Sequence, residues 1–126
     1  MVKVLSKVRI VDNSGGIWAK IIRILGGNSH KSGKIGTSIV VAIKKINRKK
    51  ENKKVYKGDV IKALILKTEE PLTRKDGIKL KFERNLIAVV NKQGSPLGSR
   101  IKTTMAREIR TKNNAKLFSI GKKLVI

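Results

Sequence analysis

Short runs of aliphatic and β-branched residues make up most of this chain, and a cluster of turn-forming residues ends each run. The first run covers residues 2–11 and ends at DNSGG, and the next, IWAKIIRIL, ends at two glycines. TSIVVAIKKI, DVIKALILKT and LIAVVN follow later in the chain. None of these runs has the length and period of a long amphipathic helix. The pattern predicts an all-β domain, and closure into a small barrel would leave no exposed strand edges.

Two runs, residues 39–43 and 64–66, are apolar on both faces, so each is open to interpretation as a strand or as a buried helix. Their β-branched residues and bracketing turns favour strands. The pair Asp76-Gly77 lies between LTRK and IKLKFE, which predicts a β-hairpin. In the second arm, Ile78, Leu80 and Phe82 alternate with charged residues. This alternation predicts that one face of the arm contacts the core.

From Gln93 onward the sequence becomes loop-like. MAREIR is long enough for a short helix with Thr104 as a candidate N-cap, and NAKLFSI for a second one that ends at Gly121. We therefore expect one domain over residues 1–126. A barrel with a hairpin would occupy 1–92, and loops with two short helices would occupy 93–126.

The net charge indicates the class of partner. Lys and Arg total 31 against 8 acidic residues, for a formal net charge of +23 that is spread over both halves of the chain. A folded surface of this charge repels itself unless a polyanion neutralises it. We predict nucleic acid rather than a membrane, because no segment is an apolar span or a long amphipathic helix.

Aromatic residues are only 3% of the chain, too few for a base-stacking platform. Phe82 and Phe118 are interpreted as core residues, and only Tyr56 is positioned to stack on a base or sugar. The composition therefore favours folded RNA recognised by its shape and backbone.

Nothing in the sequence predicts an enzyme, a metal site or a cofactor. The chain has one histidine, His30, and no cysteine, and its carboxylates lie mostly singly beside lysines. Asp12, Asp59 and Asp76 are interpreted as turn residues. The opening MVKVLSKVRIVD is typical of a strand rather than of a signal or transit peptide.

The segment NRKKENKKVYKGD, residues 47–59, joins two apolar runs and is strongly basic. Taken alone it is a solvated connector, a disordered arm or a phosphate-binding loop, and the connector is the simplest interpretation. Gly58-Asp59 leads directly into the next run, so we expect both ends of the loop to be anchored to the barrel.

Several motifs then occur in a recognisable order: VDNSGG, RILGG, KKVYKGDVIKALILKT, RKDG, KFERNLIAVVN, PLGSRI and REIR. Together they resemble the universal large-subunit ribosomal protein number fourteen, the L-fourteen family, over essentially the whole chain. The resemblance implies a five-stranded barrel with a hairpin and small C-terminal helices. It also implies binding to large-subunit rRNA, a bridge to small-subunit rRNA, contacts with neighbouring large-subunit proteins, and docking of a ribosome-silencing factor.

The resemblance turns the basic loop from a connector into a candidate RNA-binding element. With the other basic turns, it gives thirteen candidate RNA-binding residues: Lys31, Lys34, Arg48, Lys49, Lys50, Lys53, Lys54, Lys57, Arg74, Lys75, Lys79, Lys81 and Arg100. A second set is implied at the subunit interface: Ser99, Lys102, Arg107, Arg110, Lys122 and Lys123. At Ile17 and Trp18 the chain departs from the family's basic pattern, so we assign no RNA contact there.

The predicted function is a structural, rRNA-binding role in the large ribosomal subunit. A free-standing RNA-binding regulator or chaperone with a similar barrel is the alternative. The residue usage, which favours Ile, Lys and Asn with their AT-rich codons, points to an organelle. We expect a mitochondrial ribosome first, and a plastid or bacterial one second.

Overall fold

The computed structural model describes residues 2–25, 32–49, 54–69, 71–73, 75–98, 100, 101 and 109. Within these residues the chain forms β-strands joined by turns. The strands are β1 (Val2–Lys3), β2 (Lys7–Ile10), β3 (Gly16–Ile24), β4 (Ser32–Gly33), β5 (Ser38–Ile46), β6 (Val60–Lys67), β7 (Leu72–Thr73), β8 (Lys79–Leu80) and β9 (Leu86–Val90).

Five of these strands close into a barrel in the order β2-β3-β5-β6-β9. Neighbours in that order pair antiparallel, and a parallel pairing of β9 with β2 closes the ring. Because the ring is closed, each of its five strands pairs with a neighbouring strand on both sides. The predicted all-β fold with a five-stranded barrel is confirmed.

The interior of the barrel is filled by aliphatic side chains, as the low aromatic content requires. Successive residues of a strand point to opposite faces, so alternate positions of β2 and β5 enter the core. The main cluster consists of Val8, Ile10, Ala19, Ile21, Ile24, Ile39, Val41, Ile43, Val55, Ala63, Ile65, Ile87 and Val89.

A second apolar cluster lies on the outer face of β6 and β9. Leu64 and Leu66 point away from the first cluster and pack with Ala88, Ile101 and Ile109, among others. Both faces of these two strands are therefore buried, which explains why their sequences are apolar without alternation. The runs at 39–43 and 64–66 are strands, as predicted.

The first predicted strand, residues 2–11, is divided in two. The N–H of Lys3 donates to Ser6 Oγ, and the N–H of Ser6 donates to Lys3 O, each at 3.1 Å. These two bonds close a turn in which Leu5 has a φ of 70°. The pairing partners differ on the two sides of this turn, because β1 pairs with β4 and β2 pairs with β3. The turn interrupts the predicted strand, and its two parts pair with different strands.

The hairpin at Asp76-Gly77 is confirmed, with β7 and β8 as its short arms. Asp76 Oδ1 accepts a hydrogen bond from the N–H of Ile78 at 3.2 Å, and Gly77 has a φ of 85°. The predicted core position of Ile78 is wrong, since its side chain is 51% exposed. The two-residue arms form a sheet separate from the barrel, and among the described residues no layer covers this position. Phe82, in contrast, is half-buried against the second cluster.

Ile109 is helical and fully buried in the second cluster. The rest of the two predicted helices, including Thr104 and Phe118, lies outside the described residues. Within the described part of the chain, no helix has the length and apolar character needed to cross a membrane.

Candidate nucleic-acid interface

The basic loop between β5 and β6 is tied to the barrel at both of its described ends. The N–H of Asn47 donates to Gly15 O at 2.7 Å, and the N–H of Lys54 donates to Ser14 O at 2.8 Å. Val55 is fully buried in the barrel core. These contacts confirm the expected anchoring. They exclude a free disordered arm for the described ends of the loop, residues 47–49 and 54–59.

A tight turn brings the loop back into β6. Asp59 Oδ2 accepts the N–H of Tyr56 at 2.9 Å, and the N–H of Gly58 donates to Ile43 O at 2.8 Å. Gly58 has a φ of 91°, a conformation that favours glycine. Asp59 is therefore a turn residue, as predicted. Val55 points inward, while Tyr56 is 58% exposed.

The cations of the anchored segments point into solvent. Four candidate residues of the loop, Arg48, Lys49, Lys54 and Lys57, are exposed on a backbone held by the contacts above. Lys50 and Lys53 lie outside the described residues. The loop thus presents several positive charges at positions fixed by the barrel, and such an arrangement is suited to phosphate groups.

The motif DNSGG holds this loop through a buried carboxylate. Asp12 Oδ1 accepts hydrogen bonds from the Ser14 N–H at 3.1 Å and from the Ser14 hydroxyl at 2.6 Å. Its other oxygen, Oδ2, accepts the N–H of Val89 in β9 at 3.0 Å. Asp12 is 5% exposed and Ser14 is fully buried. We call this arrangement the Asp12 clasp; it fixes the turn whose carbonyl groups hold the loop.

A segment near the C-terminus packs against the same turn. The N–H of Arg100 donates to Asn13 Oδ1 at 3.1 Å, and the N–H of Asn13 donates to Arg100 O at 3.2 Å. A Cβ on Gly98 would lie 2.7 Å from Asn13 Oδ1 and 3.0 Å from the Cβ of Asp12. Only glycine allows this close approach. The exposed side chain of Arg100 therefore projects from a fixed backbone position beside the Asp12 clasp.

The hairpin and the turn before β5 carry the remaining described candidates. Lys75, Lys79 and Lys81 are exposed on or beside the hairpin, and Lys34 is exposed in a turn. Thr37 Oγ1 accepts the backbone N–H of Lys34 at 3.1 Å and fixes that turn. The other predicted site residues lie outside the described part of the chain: Lys31, Arg74, Ser99, Lys102, Arg107, Arg110, Lys122 and Lys123.

The described residues give little support to a metal site or a catalytic site. No group of three or more His, Cys, Asp or Glu side chains is close enough there to hold a metal ion. His30 lies outside the described residues. The carboxylates of Asp59 and Asp76 hold turns, and that of Asp12 forms the Asp12 clasp.

The whole-chain comparison decides the family. The family model for ribosomal protein L14p/L23e matches residues 1–125. The chain belongs to this family. An L14p/L23e protein is a structural component of the large ribosomal subunit, so this chain is located in the ribosome, and its family is one of structural proteins rather than of enzymes. The resemblance found in the ordered motifs is thereby confirmed.

Two features of this L14p/L23e protein were missed from its sequence. Asp12 was interpreted only as a turn residue, whereas it also joins two distant parts of the barrel. Its motif VDNSGG and the later KFERNLIAVVN, which contains Val89, signal the contact only when they are considered together. Trp18, to which no contact was assigned, is half-buried on the outer face of the barrel, with Lys7 Nζ 4.4 Å from its ring centroid.

Proposed function

We propose that this L14p/L23e protein binds large-subunit rRNA through the exposed cations of its basic loop and hairpin. The anchoring of the loop supports this proposal most directly. Lys54 and Val55 are held by the Ser14 carbonyl and by the core, while the charged ends of Arg48, Lys49 and Lys57 remain in solvent. A rigid scaffold with outward charges binds phosphate groups at a low cost in entropy.

Each of these contacts is individually weak because each cation is exposed and screened by salt. Their sum is large, since every neutralised phosphate releases condensed counterions. The logarithm of affinity should fall with the logarithm of salt concentration by about 0.7 to 0.9 per phosphate contact. The protein then neutralises rRNA phosphates and holds the rRNA in a fixed position, and it carries out no reaction.

Lysine footprinting tests the proposal. The reactivity of Lys49, Lys54 and Lys57 towards an acylating reagent is compared in assembled large subunits and in the free protein. Strong protection on assembly supports rRNA binding by the loop, and equal reactivity in both states contradicts it. Lys92 is an exposed lysine outside the candidate set and provides the internal comparison.

A bridge to small-subunit rRNA is the second part of the proposed function. It involves the strip that begins at Ser99 and Arg100 and continues through Lys102, Arg107 and Arg110 to Lys122 and Lys123. The fixed backbone of Arg100 beside the Asp12 clasp supports one end of this strip. Neighbouring large-subunit proteins and a ribosome-silencing factor are further proposed partners.

Charge reversal in this strip tests the bridge. Arg107→Glu together with Arg110→Glu should reduce subunit joining, measured by sucrose-gradient sedimentation, while the amount of free large subunit stays normal. Variants that fail to enter the large subunit, but join normally once incorporated, would contradict the bridge.

The proposed location is a mitochondrial ribosome, with a plastid or bacterial ribosome as the alternative. Support comes from the preference for Ile, Lys and Asn, whose codons are AT-rich, as expected of a gene in an AT-rich organellar genome. Fractionation of source cells, followed by mass spectrometry of each ribosome population, distinguishes these locations. The same gradients test the regulator alternative, which predicts that most of the protein sediments free of ribosomes.

A further inference from the structure

Trp18 lies in a row of side chains that crosses the outer face of the barrel. The strand register places it directly opposite Arg9 of β2 on one side and Lys45 of β5 on the other. Directly opposite residues of neighbouring strands project from the same face of a sheet. Val8 and Ile10 are buried and Arg9 is exposed, so this face is the outer one. A lone tryptophan is thus placed between two exposed cations.

The β3–β5 register is irregular on both sides of Trp18, with shifts after Gly16 and before Ala19. Such irregularities turn a side chain away from the direction that a regular strand would give it. The indole ring is half-buried rather than packed in the core.

A groove of about 490 Å³ opens beside the ring, within the size range of small-ligand sites. Its lining includes four cationic side chains, which belong to Lys7, Arg9, Lys45 and Arg84, and one carboxylate, that of Glu69. The N–H of Glu69 donates to Asn85 Oδ1 at 3.0 Å and fixes that wall of the groove. This concentration of positive charge is unfavourable unless an anion enters.

We propose that the Trp18 groove binds an unpaired nucleotide of RNA, with its base stacked on the indole and its phosphate among the surrounding cations. A nucleotide supplies both the flat aromatic face and the negative charge that this groove matches. This inference rests on the proposed rRNA-binding function and extends it from backbone contacts alone to recognition of one exposed base.

Lys7 contacts the indole ring, with Nζ 4.4 Å from its centroid, and a base can replace that contact. An exposed cation–π pair contributes about 2- to 5-fold to an equilibrium, whereas stacking of a base on an aromatic side chain contributes about 5- to 150-fold. Stacking of a base on the indole is therefore favoured over the contact with Lys7. The displaced ammonium group then pairs with the phosphate instead.

The chain contains a single tryptophan, so in the folded protein its emission reports on the surroundings of Trp18. A short oligouridylate should quench the Trp18 emission of the full-length protein. An abasic oligonucleotide with the same number of phosphates should leave the emission unchanged, and so should an RNA duplex, whose bases are already paired. Equal quenching by the abasic strand, the duplex or poly-glutamate would overturn the inference, because it would show a response to negative charge only.

Variants provide the second measurement, by fluorescence anisotropy of labelled oligouridylate. Trp18→Leu should weaken binding by about 5- to 150-fold, and Trp18→Phe should retain most of the affinity. Far-UV circular dichroism checks that each variant folds. Lys92→Gln, a substitution outside the groove that removes one charge, shows how much affinity a general surface and charge effect can account for. If Trp18→Leu binds as tightly as Lys92→Gln does, the inference is wrong.

The same experiments separate this inference from the proposed function. Salt-dependent RNA binding that does not depend on Trp18 would overturn the proposed nucleotide site in the groove. It would leave the proposed binding of rRNA by the basic loop and hairpin intact. Absence of RNA binding, together with absence from the large subunit, would overturn both.

Discussion

Removal of the buried carboxylate at Asp12 should destabilise this protein more than any other single change to its turns. Its carboxylate oxygens accept hydrogen bonds from the N–H and hydroxyl of Ser14 and from the N–H of Val89. Asp12→Ala removes the acceptor of these donors and leaves them next to a methyl group, buried away from water. The Ser14 hydroxyl can rotate towards another acceptor, but the two backbone N–H groups cannot.

The expected loss follows from those two N–H groups. A buried donor left without a partner costs about 1–3 kcal/mol, so Asp12→Ala should lower the free energy of unfolding by about 2–6 kcal/mol. Domains of this size are stabilised by about 5–15 kcal/mol in total, so the loss is a large fraction of that stability. Asp12→Asn keeps one acceptor oxygen but turns an amide donor towards one of the N–H groups, so it should cost less than the alanine variant.

Asp76 provides a matched control. Its Oδ1 accepts the N–H of Ile78 two residues later, which is the same local bond that Asp12 makes to Ser14. Asp76, however, is exposed in the hairpin. Asp76→Ala should therefore change the free energy of unfolding by within about 0.5 kcal/mol.

The assay is equilibrium unfolding in urea, followed by Trp18 fluorescence and by far-UV circular dichroism. Amide hydrogen exchange at Lys54 should also accelerate in the Asp12→Ala variant, because the clasp holds the turn whose Ser14 carbonyl accepts that N–H. If Asp12→Ala and Asp76→Ala lose the same free energy, the clasp has no special role and the reasoning is refuted.

Three further predictions concern packing and charge. Gly16→Ala should cost about 0.5–1.5 kcal/mol by urea unfolding, since its Cβ would lie 2.5 Å from Cδ1 at the end of the Ile10 side chain, which must shift. Ile10→Val removes that Cδ1 and should therefore cost less in the Gly16→Ala variant than in the unaltered protein; equal costs contradict the stated clash. Val55→Ala should cost about 1.5–3 kcal/mol in the same assay, because a fully buried side chain leaves a cavity; a cost near zero would show that the basic loop is not anchored there. Replacing both Lys79 and Lys81 with Gln should reduce the slope of log affinity for rRNA against log salt by about 1.4 to 1.8, and an unchanged slope would remove the hairpin from the interface.

Local patterns determined most of the barrel. Alternation and β-branched residues specify strands because each side chain's direction follows from its place in the strand, whatever its partner. Asp76-Gly77 specifies a hairpin in the same way, since the turn needs only its own residues. The positive surface also follows from composition, because lysine and arginine side chains are rarely buried in any fold. The sequence was therefore sufficient for the fold class, the hairpin and the positive charge of the surface.

Tertiary structure decided what depends on residues far apart in the chain. The Asp12 clasp joins positions 77 residues apart, and the Asn13–Arg100 contact joins positions 87 apart. Neither contact has a local signal, because each exists only after β9 has closed the ring against β2. Ile78 is exposed for a related reason, since the pattern of a strand gives the direction of a side chain but cannot say whether another layer covers it. The row through Arg9, Trp18 and Lys45 is likewise a product of strand register, which sets residues from three separate segments side by side on one face.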